Sequence, residues 1–259
     1  MSIHSDQQGG VLRLTLDRPE KSNAFDDQII RDLTEAFLRA AEDPAVRVVV
    51  LAANGKYFSA GGDLAWMQRM AGYSDAENLA DAQALARLMQ AIDQCSKPVL
   101  ARVQGSAFAG AVGLIACCDF AVAVPSAQFA ITEVRLGLIP AVISPYIVRA
   151  IGVRQARRWC LTAERFSAEQ AKTMGLVHEI AETDLLDVVL QQQIDALLMA
   201  APSALAEAKS LLALVDQPLS AQVVTATAVR IARQRASADG REGVASFLEK
   251  RNPAWRSEK

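Results

Sequence analysis

Two apolar runs of strand character in this chain are each followed by a stretch built almost entirely of small residues. The first is Phe58-Ser59-Ala60-Gly61-Gly62-Asp63, the second Gly105-Ser106-Ala107-Phe108-Ala109-Gly110-Ala111-Val112-Gly113. Backbone of that kind has almost no side chain in front of it, so peptide N–H groups come within hydrogen-bonding distance of a ligand oxygen. Two such segments can aim two N–H groups at one point, which is the layout of an oxyanion hole. Downstream, Glu133 is the single acid in Ile131 to Pro140, a segment otherwise apolar but for Thr132 and Arg135. One carboxylate beyond two donor segments points to proton chemistry on an acyl compound.

The rest of the chain alternates strands and helices, then turns helical. Val11 to Leu16 alternates as a strand and ends at Asp17-Arg18-Pro19. Ile29, Ile30, Leu33, Phe37 and Ala40 share one face at helical spacing, which predicts an amphipathic helix over 26–42. Val46 to Ala52 is apolar and β-branched, as a strand covered on both faces must be. Leu79, Ala82, Leu85, Met89 and Ile92 mark a second helix, ended by Lys97-Pro98. Further strands are expected at 98–103 and 120–124, with a short helix over 110–117 between them. Ser167 and Gln170 form a capping-box pattern opening a helix that Gly175 closes. Helical patterns then cover 185–199, 203–215, 219–237 and 241–249. Repeated strand–helix units predict an α/β fold with parallel sheets. The division expected is a core over 1–195 and a helical region over 196–259.

A chain of 259 residues buries a large core. Its formal net charge of −2 leaves no electrostatic footprint for nucleic acid or an anionic membrane. The longest near-apolar run, Ala107 to Cys118, is too short to span a bilayer, and the polar start has no signal-peptide core. Cys95, Cys117, Cys118 and Cys160 form no metal-ligand spacing and read as reduced thiols, so a cytoplasmic location is expected. His4 and His178 are too scattered for a zinc site, and no metal is expected.

In Asp17 to Ala24, 58–63, Gly105 to Asp119, 133–140, Leu161 to Val177 and Phe247 to Arg251, the chain resembles the crotonase (enoyl-CoA hydratase/isomerase) family. Six short strings in the right order carry the resemblance over nearly the whole length. Ile139 to Tyr146, Leu161 to Phe166 and Phe247 to Trp255 are similar to bacterial 3-methylglutaconyl-CoA hydratases of leucine catabolism, with hydratases of acyclic terpenoid breakdown also close. The resemblance implies a crotonase-like spiral of ββα units, followed by helices that build a homotrimer or a hexamer of paired trimers. It also implies an acyl-CoA substrate, with no cofactor beyond the coenzyme A that the substrate carries.

Residue by residue, the resemblance places the oxyanion N–H groups on Gly62 and Gly110. It gives Glu133 the general acid/base role, for which apolar surroundings would raise its pKa. Lys21 and the backbone around Ala60 and Asp63 are implied at the nucleotide, joined by Phe247 and Lys250 from a neighbouring subunit. Trp66 and Met67 border the acyl pocket, with core packing as their plainer alternative. One departure stands out. Most family hydratases carry two glutamates, and the first falls on Gly113. Either Glu133 positions the water and delivers the proton alone, or the chemistry is a one-carboxylate double-bond isomerisation. A non-catalytic CoA-binding trimer is the third reading.

Overall fold

All six residues of Val48–Ala53 are buried, which fixes this strand in the middle of a sheet covered on both faces. The computed structural model describes residues 2–256. Its larger sheet has six strands in the order β1 (Ile3–Gln8), β2 (Val11–Leu16), β3 (Val48–Ala53), β5 (Val99–Val103), β7 (Phe120–Ala123) and β10 (Glu179–Ile180). Only β1 runs antiparallel to its neighbour. A smaller sheet is built from β4 (Tyr57–Ser59), β6 (Ser106–Phe108), β8 (Gln128–Ala130) and β9 (Phe166–Ser167), with β9 antiparallel.

The two sheets are filled in alternation. β3 and β4 lead into α2 (Leu64–Met70) and α3 (Asp75–Asp93), and β5 and β6 lead into α4 (Gly110–Ala116). β7 and β8 lead through a 3-10 turn at Glu133–Leu136 into α5 (Ser144–Thr162), which breaks at Gly152. α6 (Ala168–Met174) then joins β9 to β10. This is the expected spiral of ββα units.

Local chemistry sets the helix ends. α1 (Asp27–Glu42) buries the five predicted residues, and the Asp26 carboxylate accepts from the N–H groups of Gln28 and Ile29. Such a cap contributes about 1 kcal/mol. Ser167 and Gln170 form the predicted capping box, and Gly175 ends α6 at φ 92°. The expected division at 195 falls inside α7 (Leu186–Leu198), a continuous helix that packs onto β3, β5 and β7. The change in character follows it. α8 (Pro202–Val215), α9 (Ala221–Ala236) and α10 (Ala238–Leu248) bury only Val223 and Ser246 between them.

The separate small sheet, the leading strand β1, α2, α5 and β10 were not anticipated. Among the described residues no single helix is long and apolar enough to cross a membrane. None of their His, Cys, Asp and Glu side chains gather in threes that could hold a metal ion. His178 is structural: its Nδ1 accepts from the Ala121 N–H at 3.1 Å and its ring stacks on Phe120.

Candidate active site

The three parallel strands of the small sheet deliver three chain segments to one edge: β4 runs into 60–62, β6 into 109–110, and β8 into 132–133. The first two meet closely. A β-carbon on Gly61 would lie 2.8 Å from the Phe108 carbonyl oxygen and 3.1 Å from the Ala109 methyl, and Gly61 itself sits at φ +91°. Only glycine satisfies both conditions.

Phe25 ties the segments together. Its N–H donates to the Gly61 carbonyl at 2.8 Å, and its own carbonyl accepts from the Asp63 N–H at 2.9 Å. Its ring lies against the other segment, where a β-carbon on Gly110 would be 2.7 Å from Phe25 Cζ. Ala109 adopts φ 50°, ψ −126°, a strained conformation for a residue with a side chain. The Ala109 N–H donates to the Ala130 carbonyl at 2.8 Å, which anchors the turn to β8 and leaves Gly110 as the first helical residue. The Gly62 and Gly110 N–H groups have no protein acceptor among the described residues. These are the amides to which the family resemblance assigns the oxyanion role.

Glu133 opens the 3-10 turn beyond β8. Its Oε2 is buried without a hydrogen-bond partner. Burial raises the pKa of this carboxyl group, and the nearby amides of Glu133 and Thr132 offset part of the rise. Among the described residues Glu133 forms no ion pair, with Arg135 or any other cation. The arrangement combines two amides without a protein acceptor and a buried carboxyl group whose pKa is raised. It can stabilise a negative oxygen and move a proton beside it.

The family model described as enoyl-CoA hydratase/isomerase matches residues 6–258. The chain belongs to that family. It is 46% identical to an enoyl-CoA hydratase from Shewanella pealeana whose crystal structure superimposes with a TM-score of 0.96, covering 98% of this chain and 96% of that one. It is 37% identical over 251 residues to enoyl-CoA hydratase ACTT6 of Alternaria alternata, across 96% of this chain and 82% of the relative. It is also 30% identical over 251 residues to a trans-2-decenoyl-[acyl-carrier-protein] isomerase of Streptococcus mutans, across 95% and 94%. This crotonase is therefore an enzyme of enoyl-CoA hydratase/isomerase type.

Around the glycine pair of this family member, Trp66 and Met67 form the near wall. A β-carbon on Gly62 would meet Trp66 Cζ3 at 3.4 Å and Met67 Cγ at 3.7 Å. Trp66 is also core, 4% exposed, with its Nε1 donating to Asp81 at 3.1 Å. Both readings of that residue hold together. Gly113 is buried one helical turn beyond Gly110 and faces Ile143 and Met89.

At the expected nucleotide corner the backbone amides are used within the fold. The Ala60 N–H donates to the Ser22 carbonyl and the Asp63 N–H to the Phe25 carbonyl, which leaves backbone carbonyls rather than these two amides for any contact with adenine. The Asp63 carboxylate caps α2 through Ala65 and Trp66 and pairs with Arg18 at 3.3 Å and Lys21 at 3.6 Å. Burial works to raise the pKa of Asp63, but the Trp66 and Ala65 amides, then Lys21 and Arg18, outweigh it and hold the group below its ordinary value. What remains open there is Lys21, whose side chain is 51% exposed. Phe247 lies in the last turn of α10, whose main contacts are with α8 and α9, whereas Lys250 lies two residues beyond the helix at φ 55°. Phe247 is 82% exposed.

The residue that sequence reasoning missed is Phe25. Its one signal is position, two residues after Asn23, whose side chain donates to the carbonyls of Asn54 and Tyr57 and so pins the opening segment against β4.

Proposed function

We propose that this protein adds water reversibly to an α,β-unsaturated acyl-CoA, with 3-methylglutaconyl-CoA as its substrate in leucine or related terpenoid catabolism. The observation that carries the reading is the pairing of two unpartnered amides, Gly62 and Gly110, with the buried and unpartnered Oε2 of Glu133. The thioester oxygen accepts from both amides. Water held by Glu133 attacks the β-carbon, the double-bond electrons pass to the thioester oxygen, and the water proton passes to the carboxylate. Glu133 then returns that proton to the α-carbon as the enolate collapses, leaving hydroxyl on Cβ and hydrogen on Cα. One oxyanion donor is worth about 3 kcal/mol of barrier in such chemistry.

The choice of substrate is supported by the similarity of Ile139 to Tyr146 and Leu161 to Phe166 to 3-methylglutaconyl-CoA hydratases. Lys21 is proposed to meet the nucleotide end of coenzyme A, with Phe247 and Lys250 contributed by a neighbouring copy in a trimer or hexamer. The exposed Leu212, Phe247 and Leu248 of the last helices, with Leu219 in the link between α8 and α9, support such an assembly. Four free cysteines support a cytoplasmic location.

A second reading is double-bond isomerisation between the 3,4 and 2,3 positions. It is favoured by Gly113, which brings no second carboxylate to this wall. Incubating the protein with branched, straight and carboxylated enoyl-CoA esters separates the two, because hydration adds 18 mass units, about one water, and isomerisation adds none. Binding of every ester with turnover of none would leave only a CoA-binding trimer.

A further inference from the structure

The indole of Trp66 is engaged at both of its edges. Its Nε1, on the five-membered ring, donates to the Asp81 carboxylate at 3.1 Å. Its Cζ3 and Cε3, on the six-membered ring, lie against Gly62, where a β-carbon would meet them at 3.4 and 3.6 Å. The Trp66 backbone is fixed as well, since its N–H donates at 3.2 Å to Asp63, the residue after Gly62. The indole also tilts against Phe25, with ring centroids 6.4 Å apart, and Phe25 abuts Gly110 in turn. One ring of this pair thus lies against each of the two glycines whose amides have no protein acceptor. Asp81, half-buried on α3, forms no ion pair among the described residues, and its carboxylate is engaged in this one side-chain hydrogen bond. Burial raises its pKa, the Trp66 indole opposes the rise, and Asp27 and Arg69 add smaller effects of opposite sign. An aliphatic side chain here would avoid desolvating an acid and would leave the buried indole N–H without an acceptor.

We propose that Asp81 is a positioning residue for the oxyanion pair: by holding one edge of Trp66 it keeps the opposite edge against Gly62 and, through Phe25, keeps Gly62 and Gly110 at the separation where both N–H groups reach one oxygen. Asp81 acts through Trp66 and not on the substrate. The inference rests on the reading that these two amides hold the thioester oxygen. A tryptophan on a helix has more than one allowed rotamer, and a hydrogen bond at the far end of the ring selects one of them. Without that tether the indole can turn, and the backbone it supports loses its fixed aim. Donors aimed at a developing negative charge stabilise it because they need no rearrangement during the reaction, so a small displacement weakens them in the transition state. Contacts to the remote parts of the ester are untouched, and the loss therefore falls on kcat rather than KM.

The test reads kcat, KM and the thioester carbonyl band on the full-length protein. Asp81→Leu should lower kcat with an enoyl-CoA ester by about tenfold, less than the loss of about 10²–10³ for a whole oxyanion donor, and leave KM within about twofold. Asp81→Asn, which keeps an acceptor oxygen and drops the charge, should restore most of kcat. The second readout is the infrared difference spectrum of a bound saturated acyl-CoA, which undergoes neither hydration nor isomerisation. Its carbonyl band should lie below that of the free ester in the wild type and move back toward it in Asp81→Leu. An unchanged kcat or an unmoved band overturns the proposal, a lower melting temperature alone being what a merely structural hydrogen bond would give. Equal losses in the asparagine and leucine variants overturn it too, since charge and not the indole contact would then be at work. If Asp81→Leu does not fold, Trp66→Phe removes the same hydrogen bond and is read by the same band. A wild-type band that matches the free ester, with the ester bound, overturns the oxyanion reading of Gly62 and Gly110, and this inference with it.

Discussion

Ile143 occupies the space that a side chain on Gly113 would need. A β-carbon built on Gly113 would lie 2.7 Å from the Ile143 β-carbon, with the Met89 methyl 3.5 Å away. Ile143 is buried immediately before α5 and has nowhere to retreat. Gly113→Ala should therefore lower stability by about 1–3 kcal/mol in urea unfolding, and Ile143→Ala in that background should recover part of the loss. Gly113→Glu should fail to reach the native state, since it adds a carboxyl group to the same collision. Strict additivity of the two alanine changes would rule out the direct clash.

Glu133→Gln should reduce kcat by about 10²–10⁴ while binding of a CoA ester persists, because the amide keeps the shape and cannot accept the proton. Stopped-flow turnover and ester binding, measured on the same preparation, separate the two effects. Near wild-type turnover would move the proton-transfer role to another residue.

The same substitution has a pH signature in stability. Burial raises the Glu133 pKa in the folded protein, so the folded state holds that proton more tightly than the unfolded chain does. Stability contributed at this position is present below the unfolded value and is lost as pH rises through the folded one. Glu133→Gln removes the penalty of the buried charge. Its melting temperature should exceed the wild type's at neutral pH, and the gap should close below about pH 4.3. A gap that stays constant with pH would mean that the carboxyl group titrates as it does in water.

Ala109 carries the positive φ that sets the Gly110 amide. Relief of such strain is worth about 1–3 kcal/mol, against about 0.5–1 kcal/mol for the added freedom of the unfolded chain. Ala109→Gly should therefore be neutral or slightly stabilising by calorimetry, with a lower kcat because the amide is aimed less firmly. A clear loss of stability would show that the methyl group has a packing role that outweighs the strain.

Phe247→Ala and Lys250→Ala should raise KM for CoA esters more than they lower kcat, because the nucleotide lies far from the reacting carbons. Phe247 is 82% exposed in the single chain, so the folding stability of an isolated subunit should hardly change. Unaltered KM for both variants at low ionic strength would remove the last helix from the binding site.

The long strands and α1 could be read from sequence because burial imposes a period on them: six consecutive buried residues in β3, and one stripe of five on α1. The small sheet could not. Its strands are two or three residues long, too short to show an alternation, and are defined only by their neighbours. α5 escaped for another reason. Its buried Ile147, Ile151, Ala156 and Trp159 straddle a break at Gly152, where φ is 75°, so no single helical phase runs through it. At the site, the glycines and Glu133 are visible as chemistry against an apolar background. Phe25 is not, because an aromatic ring packed against two segments distant in sequence looks the same as any core phenylalanine. The engagement of the Ala60 and Asp63 N–H groups is equally invisible in sequence, since their acceptors, Ser22 and Phe25, come from a loop some forty residues earlier.

Each chemical element of the site follows a different strand of the small sheet, while most of the buried bulk belongs to the large one. Lengthening or shortening the link after β4, β6 or β8 would shift one donor or the carboxylate relative to the other two and leave the main core packed as it is. The architecture thus separates the distances that govern reactivity from the contacts that govern folding. A lineage built on this plan can explore new reactions by small changes in three short connections, without first having to solve its fold again.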